Sequence, residues 1–253
     1  MNSNRRIDKW NLFKRLSKYP ELNAYLPETI VYKSFEDVKK MLYKYGFIFL
    51  KSFHGSSGVE VLSIDKKNNG YIINFYKNGL RSKELGGMKE LKEIVEKFTS
   101  RKNFIVQQGI HLFKYKGRNM DLRVLIQRDS SDQWKVTDYW ARIANGSFTI
   151  TNHCIGGESK KYKKIYESTN NRNYLPSEKA IGETTIKIAK YIEKEYGRTG
   201  ELGMDMAIDK DGRIWILEAN KIPAQGSIDR ADRKGNSNNY LSVLEYTIFL
   251  SKK

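Results

Sequence analysis

The chain has 253 residues, with 46 Lys and Arg against 29 Asp and Glu, giving a formal net charge of +17. At 39% hydrophobic and 12% aromatic it can bury a core, so global disorder is excluded, and its length suits one large domain or two small lobes. No apolar run approaches the roughly 20 residues of a bilayer span, the opening MNSNRRIDKW lacks the apolar stretch of a secretory signal, and the single Cys154 excludes an internal disulfide or thiolate metal cluster, so a cytoplasmic protein with no membrane partner is expected.

Taken in chain order, Ser34 and Asp37 have the spacing of a capping box, and Phe35, Val38, Met41, Leu42 and Tyr45 recur at helical period until Gly46. Three strands are predicted next, at Phe47 to Lys51, Val59 to Asp65 and Tyr71 to Lys77, because β-branched and aromatic residues alternate there between Gly and Asn turns. A second helix carries Leu91, Ile94, Val95 and Phe98 on one face, and a strand follows at Phe104 to Gln108. Beyond Gly109 come a long hairpin, Asp121 to Arg128 with Trp134 to Ile143, a helix at Ser177 to Tyr196, and a last hairpin, Leu202 to Ile208 with Arg213 to Asn220. The class expected is α+β in two lobes, residues 1-105 and 106-253. The lysine runs, among them Lys160 to Lys164, read as solvated faces or as a track for a polyanion, and charge alone does not choose between them.

Four constellations carry chemistry. In ELGMDMAIDKDGRIWILEAN, strand alternation puts Glu218 and Asn220 on one face, with Asp205 across the turn: a hard-oxygen set suited to Mg²⁺, although spacing alone favours polar residues on a half-exposed strand. In LKSFHGSSG, Lys51 precedes a Gly/Ser loop whose N–H groups and hydroxyls can wrap phosphate, or which is an ordinary glycine hairpin. Asp121, Arg123 and Arg142 lie on adjacent strands, where arginines suit negative charge developing during phosphoryl or acyl transfer, or a cross-strand salt-bridge network. Asn152 precedes the flexible Gly156 and Gly157 step in TNHCIGG, while no Walker loop, nucleophile elbow or zinc motif occurs.

In their order, LPETIVYKSFEDV, LKSFHGSSGVEVLSI, IVQQGI, DLRVLIQ, the ARI strand, TNHCIGG and ELGMDMAIDKDGRIWILEAN resemble the YheC/YheD-type endospore coat-associated ATP-grasp family. More distantly they resemble ribosomal-protein glutamate ligases and D-alanine:D-alanine ligases. The resemblance implies two α+β lobes holding ATP between them. It implies that Lys9 and Lys51 contact phosphates, with Ser56, Ser57 and Gly58 in the phosphate loop, and that Gln107, Gln108, Gly109 and Ile110 form the strand whose backbone reads adenine. Asp121 matches a ribose-side carboxylate and Asn152 a nucleotide contact, Arg123 and Arg142 match the catalytic arginines, and Asp205, Glu218 and Asn220 match the ligands of Mg²⁺, which Mn²⁺ can replace. Gln108 stands where the family often has an acidic residue, His54 where it more usually has Asn, and Ala224 where a Gly commonly follows Pro.

The activity so implied is an ADP-forming carboxylate-amine ligase working through an acyl phosphate, and the basic charge favours an acidic peptide or protein as substrate. Lys9 already belongs to the grasp module, so the usual separate N-terminal domain is expected to be missing, with a partner protein or the basic module itself supplying its surface. Association with the spore follows from the same resemblance. The alternatives are a catalytically silent ATP-binding or coat-associated module, a kinase-like phosphotransferase, and, less favoured, a nucleic-acid binder using its tyrosines as stacking platforms.

Overall fold

The computed structural model describes residues 7–54, 60–76, 80–100, 103–146, 157–169 and 174–221. Helix α1 (Lys9–Leu16) starts at Asp8, whose carboxylate accepts from Asn11 N–H at 2.8 Å, and a 3₁₀ turn (Pro20–Tyr25) follows. Strand β1 (Thr29–Val31) leads to α2 (Phe35–Tyr45). The expected capping box is present, Asp37 accepting from Ser34 N–H at 3.0 Å, and Gly46 ends the helix at φ +69°, a left-handed conformation that glycine adopts without strain. Next come β2 (Phe47–Ser52), β3 (Val61–Lys67), β4 (Gly70–Tyr76), β5 (Leu80–Leu85), α3 (Met88–Thr99) and β6 (Phe104–Gln108).

These strands form an antiparallel sheet in the order β1-β6-β2-β3-β4-β5. Its even-numbered β2 positions Ile48 and Leu50 pack with Val38, Met41 and Leu42 of α2 and Leu91 and Val95 of α3. Burying each such side chain contributes about 1.5–3 kcal/mol, which makes this apolar seam the main force holding the helices to the sheet. The opposite face keeps Phe49, Lys51, Gln107 and Thr29 for other work.

A second antiparallel sheet follows: β7 (Lys114–Tyr115), β8 (Arg118–Arg128), β9 (Trp134–Ile143), β10 (Glu158–Lys161), then α4 (Tyr162–Ser168), α5 (Glu178–Tyr196), β11 (Glu201–Ile208) and β12 (Ile214–Asn220). The order is β10-β9-β8-β11-β12, with β7 beside β8. Its core face meets α5 through Ile181, Ile188 and Ile192. Ile7, Leu12, Phe13, Leu16 and Leu22 enter this same core, so α1 packs on α5 and β12 as well as beside its sequence neighbour β1.

Two β-bulges decide which way this sheet presents its charges. In β9 the core-facing positions are Trp134 and Val136 before Thr137, but Ala141 and Ile143 after it; Leu125 pairs with Asp138 and Ile126 with Val136, leaving Thr137 extra. In β12 they are Ile214 and Ile216, then Ala219; Asp205 pairs with Glu218 and Met206 with Ile216, leaving Leu217 extra. One added residue turns every later side chain to the opposite face. Arg142 and Glu218 therefore leave the apolar face.

Candidate functional site

On the face away from α5, the register builds a row of charges. Asp121 of β8 lies opposite Arg142 of β9, Arg123 of β8 opposite Asp205 of β11, and Asp205 opposite Glu218 of β12, with Asn220 two residues further on. The guanidinium of Arg142 donates to both Asp121 oxygens at 2.7 Å and to Asp205 Oδ2 at 3.2 Å. Burial works against its charge, but the Asp121 and Asp205 carboxylates outweigh it and hold Arg142 protonated beyond the ordinary arginine range. Both Asp121 oxygens are thus committed to Arg142. Its expected place beside a ribose would have to share them.

Arg123 is held differently. Its Nη1 lies 3.0 Å from Asp205 Oδ1, yet the two atoms are misaligned, and each is buried without a hydrogen bond among the described residues. Attraction is present; the directional bond is not. Glu218 keeps 28% of its side chain exposed and has Lys9 Nζ 3.9 Å from Oε2. Lys9 reaches it from the first turn of α1, where its N–H donates to Phe53 O at 3.2 Å and ties α1 to the end of β2.

Facing this row from the first sheet is Lys51. Its Nζ donates to Gln107 Oε1 at 2.7 Å and stands 4.9 Å from the centre of the Phe49 ring. Although the side chain keeps partial exposure, atoms crowd the ammonium; that burial first, and the Lys9 charge second, bring it down to about 8, against the pull of Glu218, Asp205 and Asp121. Three carboxylates of the second sheet thus lie within electrostatic reach of a lysine of the first, and Lys9 joins the two sets by geometry, its N–H on Phe53 O beyond β2 and its Nζ 3.9 Å from Glu218.

Gln108 and Gly109 spend their N–H groups inside the first sheet, on Glu28 O and Phe47 O at 2.8 Å each, and Gln108 Oε1 accepts from Glu28 N–H at 3.1 Å. Ile110 packs with Ala207 and Trp215, and Leu112 and Leu217 lean on the same cluster, so an apolar shelf adjoins Glu218. Trp215 is fixed by donating Nε1 to Asp209 Oδ2 at 2.8 Å. The sequence reading missed this shelf and the side-chain role of Gln107; the alternation of Ile214 to Leu217 hinted at the first, since it leaves two large apolar groups off the core face. Ser56, Ser57, Gly58 and Asn152 lie outside the described residues, as do His153, Cys154, Gly156 and Pro223.

Asp205, Glu218 and Asn220 offer carboxylate, carboxylate and amide oxygens from paired positions, and Asp205 Oδ1 is a buried acceptor lacking a hydrogen bond. Arg123 meets that oxygen as a charge without a directed hydrogen bond, so its lone pairs are not committed, and two carboxylates with an amide oxygen form a donor set that fits an oxygen-seeking divalent metal such as Mg²⁺. Among the described residues there is no group of three His, Cys, Asp or Glu side chains that could hold one, and the third oxygen on this row is the Asn220 amide.

The sequence from end to end matches the family model described as YheC/D like ATP-grasp over residues 1–250. The chain belongs to the YheC/D-like ATP-grasp family. It is 24% identical over 252 residues to the endospore coat-associated protein YheD of Bacillus subtilis, covering 98% of this chain and 55% of that protein. It is equally 24% identical over 245 residues to YheC of the same organism, covering 96% of this chain and 67% of the relative. The chain therefore spans about half to two thirds of these curated relatives.

Solved structures place the YheC/D-like chain in the ATP-grasp fold. D-alanyl-alanine synthetase A from Vibrio cholerae superposes with a TM-score of 0.56 at 12% identity, over 95% of this chain and 66% of that one. The ADP complex of purK, N5-carboxyaminoimidazole ribonucleotide synthetase, gives 0.53 at 14% identity over 90% and 48%. The ATP-grasp ligase PsnB, complexed with precursor peptide PsnA2 and AMPPNP, gives 0.53 at 14% identity over 92% and 57%. The expected α+β class and ATP-grasp fold are borne out. No helix among the described residues is long and apolar enough to cross a membrane.

Proposed function

We propose that this YheC/D-like chain is an ATP-dependent carboxylate-amine ligase. The observation that carries the reading is the convergence of Lys51 and Lys9 with the Asp205, Glu218 and Asn220 oxygens and two arginines across one cleft. ATP would lie with its phosphates between the lysines and the oxygen row, and its base toward Ile110, Trp215 and Leu217. Bound Mg²⁺, held by Asp205, Glu218 and Asn220, would offset the charge of the phosphates.

A carboxylate oxygen of the substrate attacks the γ-phosphorus, the bond to the β-phosphate oxygen breaks, and ADP leaves. An amine then attacks the acyl carbon; inorganic phosphate departs and the amine loses a proton to solvent. The chain's part is to position and stabilise, which requires no nucleophilic side chain. Arg142, with both carboxylates already in hand, orients Asp121 and Asp205. Arg123, with a loosely met Nη1, is the arginine free to turn toward developing negative charge.

The charge of +17 favours an acidic peptide or protein as one substrate, and the structural likeness to PsnB, solved with a precursor peptide, supports that class. The name of the curated relatives supports a place with the endospore coat. Ser56, Ser57, Gly58 and Asn152 complete the proposal as nucleotide contacts. The two-lobe division at residue 105 stands with it, and so does a partner protein at the acceptor side.

Calorimetric titration of ATP with Mg²⁺ into wild type and Glu218→Ala, followed by a screen for ADP release over amino acids and acidic peptides, tests this. Binding at least about tenfold weaker in the variant, with ADP released only when carboxylate and amine are both present, is expected. Unchanged, Mg²⁺-independent binding in Glu218→Ala overturns the metal assignment. Binding without ADP release identifies a silent module, and a stable phosphorylated product identifies a phosphotransferase.

A further inference from the structure

Gln107 lies on the cleft face of the first sheet, diagonal to Lys51, because β6 pairs Gln107 with Phe49 and Ile105 with Lys51. At 1% exposure its amide is enclosed, and both ends are in use: Oε1 accepts from Lys51 Nζ at 2.7 Å, and Nε2 donates to Thr29 Oγ1 at 2.8 Å. Thr29 in turn donates its hydroxyl hydrogen to Pro27 O at 2.9 Å. A carbonyl can only accept, so the hydroxyl has no hydrogen left for Gln107 and must accept from it. That fixes the amide with its nitrogen toward Thr29 and its oxygen toward Lys51. The polarity of the chain of bonds is set by the backbone, not by the lysine.

We propose that Gln107 is a positioning residue for nucleotide binding: a neutral tether, locked by Thr29 and Pro27, that aims the Lys51 ammonium at the phosphates without neutralising it. The proposal rests on Lys51 being a phosphate-binding lysine. An ammonium has three N–H groups; a neutral oxygen takes one and leaves the charge whole, whereas a carboxylate at the same place would form an ion pair and compete with phosphate. Burial first and the Lys9 charge second lower Lys51 to about 8, and among the described residues its ammonium has the Gln107 acceptor and no carboxylate at ion-pair distance. The charged groups around it are Lys9 from α1, Asp121 from β8, Asp205 from β11 and Glu218 from β12.

The test compares wild type, Gln107→Leu, Gln107→Glu and Lys51→Met by calorimetric binding of Mg²⁺-ATP and of adenosine from about pH 6 to about pH 10, with thermal melting as a check on folding. Wild-type ATP affinity should fall above pH 8 as Lys51 loses its proton, while adenosine affinity stays level. Gln107→Leu should weaken ATP about tenfold with adenosine unaffected. Gln107→Glu restores an acceptor but should carry the alkaline fall upward by about one pH unit or more, since the added anion favours the protonated lysine. A Gln107 serving only the fold would move neither. If Lys51→Met weakens ATP while Gln107→Glu keeps the wild-type affinity and pH profile, the tether is overturned and the lysine reading stands. If Lys51→Met binds ATP as wild type does, the phosphate reading itself falls. Should Gln107→Leu not fold, the Gln107→Glu profile decides.

Discussion

Arg142 and Arg123 share a carboxylate and differ in how they hold it. Arg142 forks across Asp121 and reaches Asp205, three hydrogen bonds in a buried setting, whereas Arg123 meets Asp205 off line. Lysine cannot fork, so Arg142→Lys leaves the buried Asp121 with a point charge in place of its bidentate partner and Asp205 with only the off-line Arg123 beside it, and a stability loss of about 3 kcal/mol is expected. Arg123→Lys should stay within about 1 kcal/mol of wild type and lose ligase turnover instead. Urea unfolding of the two variants, set beside their ADP release, separates the roles. Lys51 adds a pH dependence. In the folded chain it titrates at about 8 and unfolded near 10.5, so between those limits the unfolded chain binds more protons and stability rises with pH. Relative to Lys51→Met, wild type should gain up to about 3 kcal/mol from pH 8 to 10.5, and nothing below pH 8, by urea midpoints; no gain would place the ammonium in solvent.

At the scale of elements, Gly109 shows how closely β6 passes β2. A Cβ there would lie 2.3 Å from the Phe47 ring and 2.7 Å from Phe47 O, which is backbone and cannot step aside. Gly109→Ala is expected to cost about 2–3 kcal/mol in urea unfolding and to loosen the strand bearing Gln107. The long strands and helices could be read from their periodicity: β6, β9 and α5 stand where the apolar pattern placed them. Short elements could not. β1, β7 and β10 have too few residues to display a period, and β10 with α4 hid inside a lysine run that reads as a solvated face. The site was legible as a set of residue types and not as a surface. Ile214, Ile216 and Glu218 share parity, so strict alternation would send Glu218 into the core; the bulge at Leu217 is what brings it out, and nothing in the local sequence announces a bulge.

Across the whole molecule, the first helix depends on strands far along the chain. Leu12 and Leu16 are fully buried in the core that β11 and β12 complete, while Lys9 in the same helix reaches Glu218. Leu12→Ala should destabilise by about 2–5 kcal/mol in urea unfolding and weaken ATP binding with it, because the cavity sits under the helix that carries Lys9. Weakened binding without a change in stability would separate the two. This dependence was invisible in the sequence, where the opening residues carry a basic, weakly patterned helix of eight residues whose ion-pair partners, Glu195 for Arg15 and Glu218 for Lys9, lie far along the chain.

The register of the charged row also sets an order of assembly. Arg142 meets Asp121 across 21 residues, within the β8-β9 hairpin, but meets Asp205 across 63, after α4 and α5 have been laid down. Loop closure makes the near pairing the faster one, so a refolding chain can form the Asp121-Arg142 clasp while Asp205 is still in solvent. β11 pairs between β8 and β12, so docking it is expected to bring Asp205 to both guanidiniums at once. On that order the charged row is completed late, and a nascent chain halted before β11 has Asp121 and both arginines but none of the Asp205, Glu218 and Asn220 oxygens.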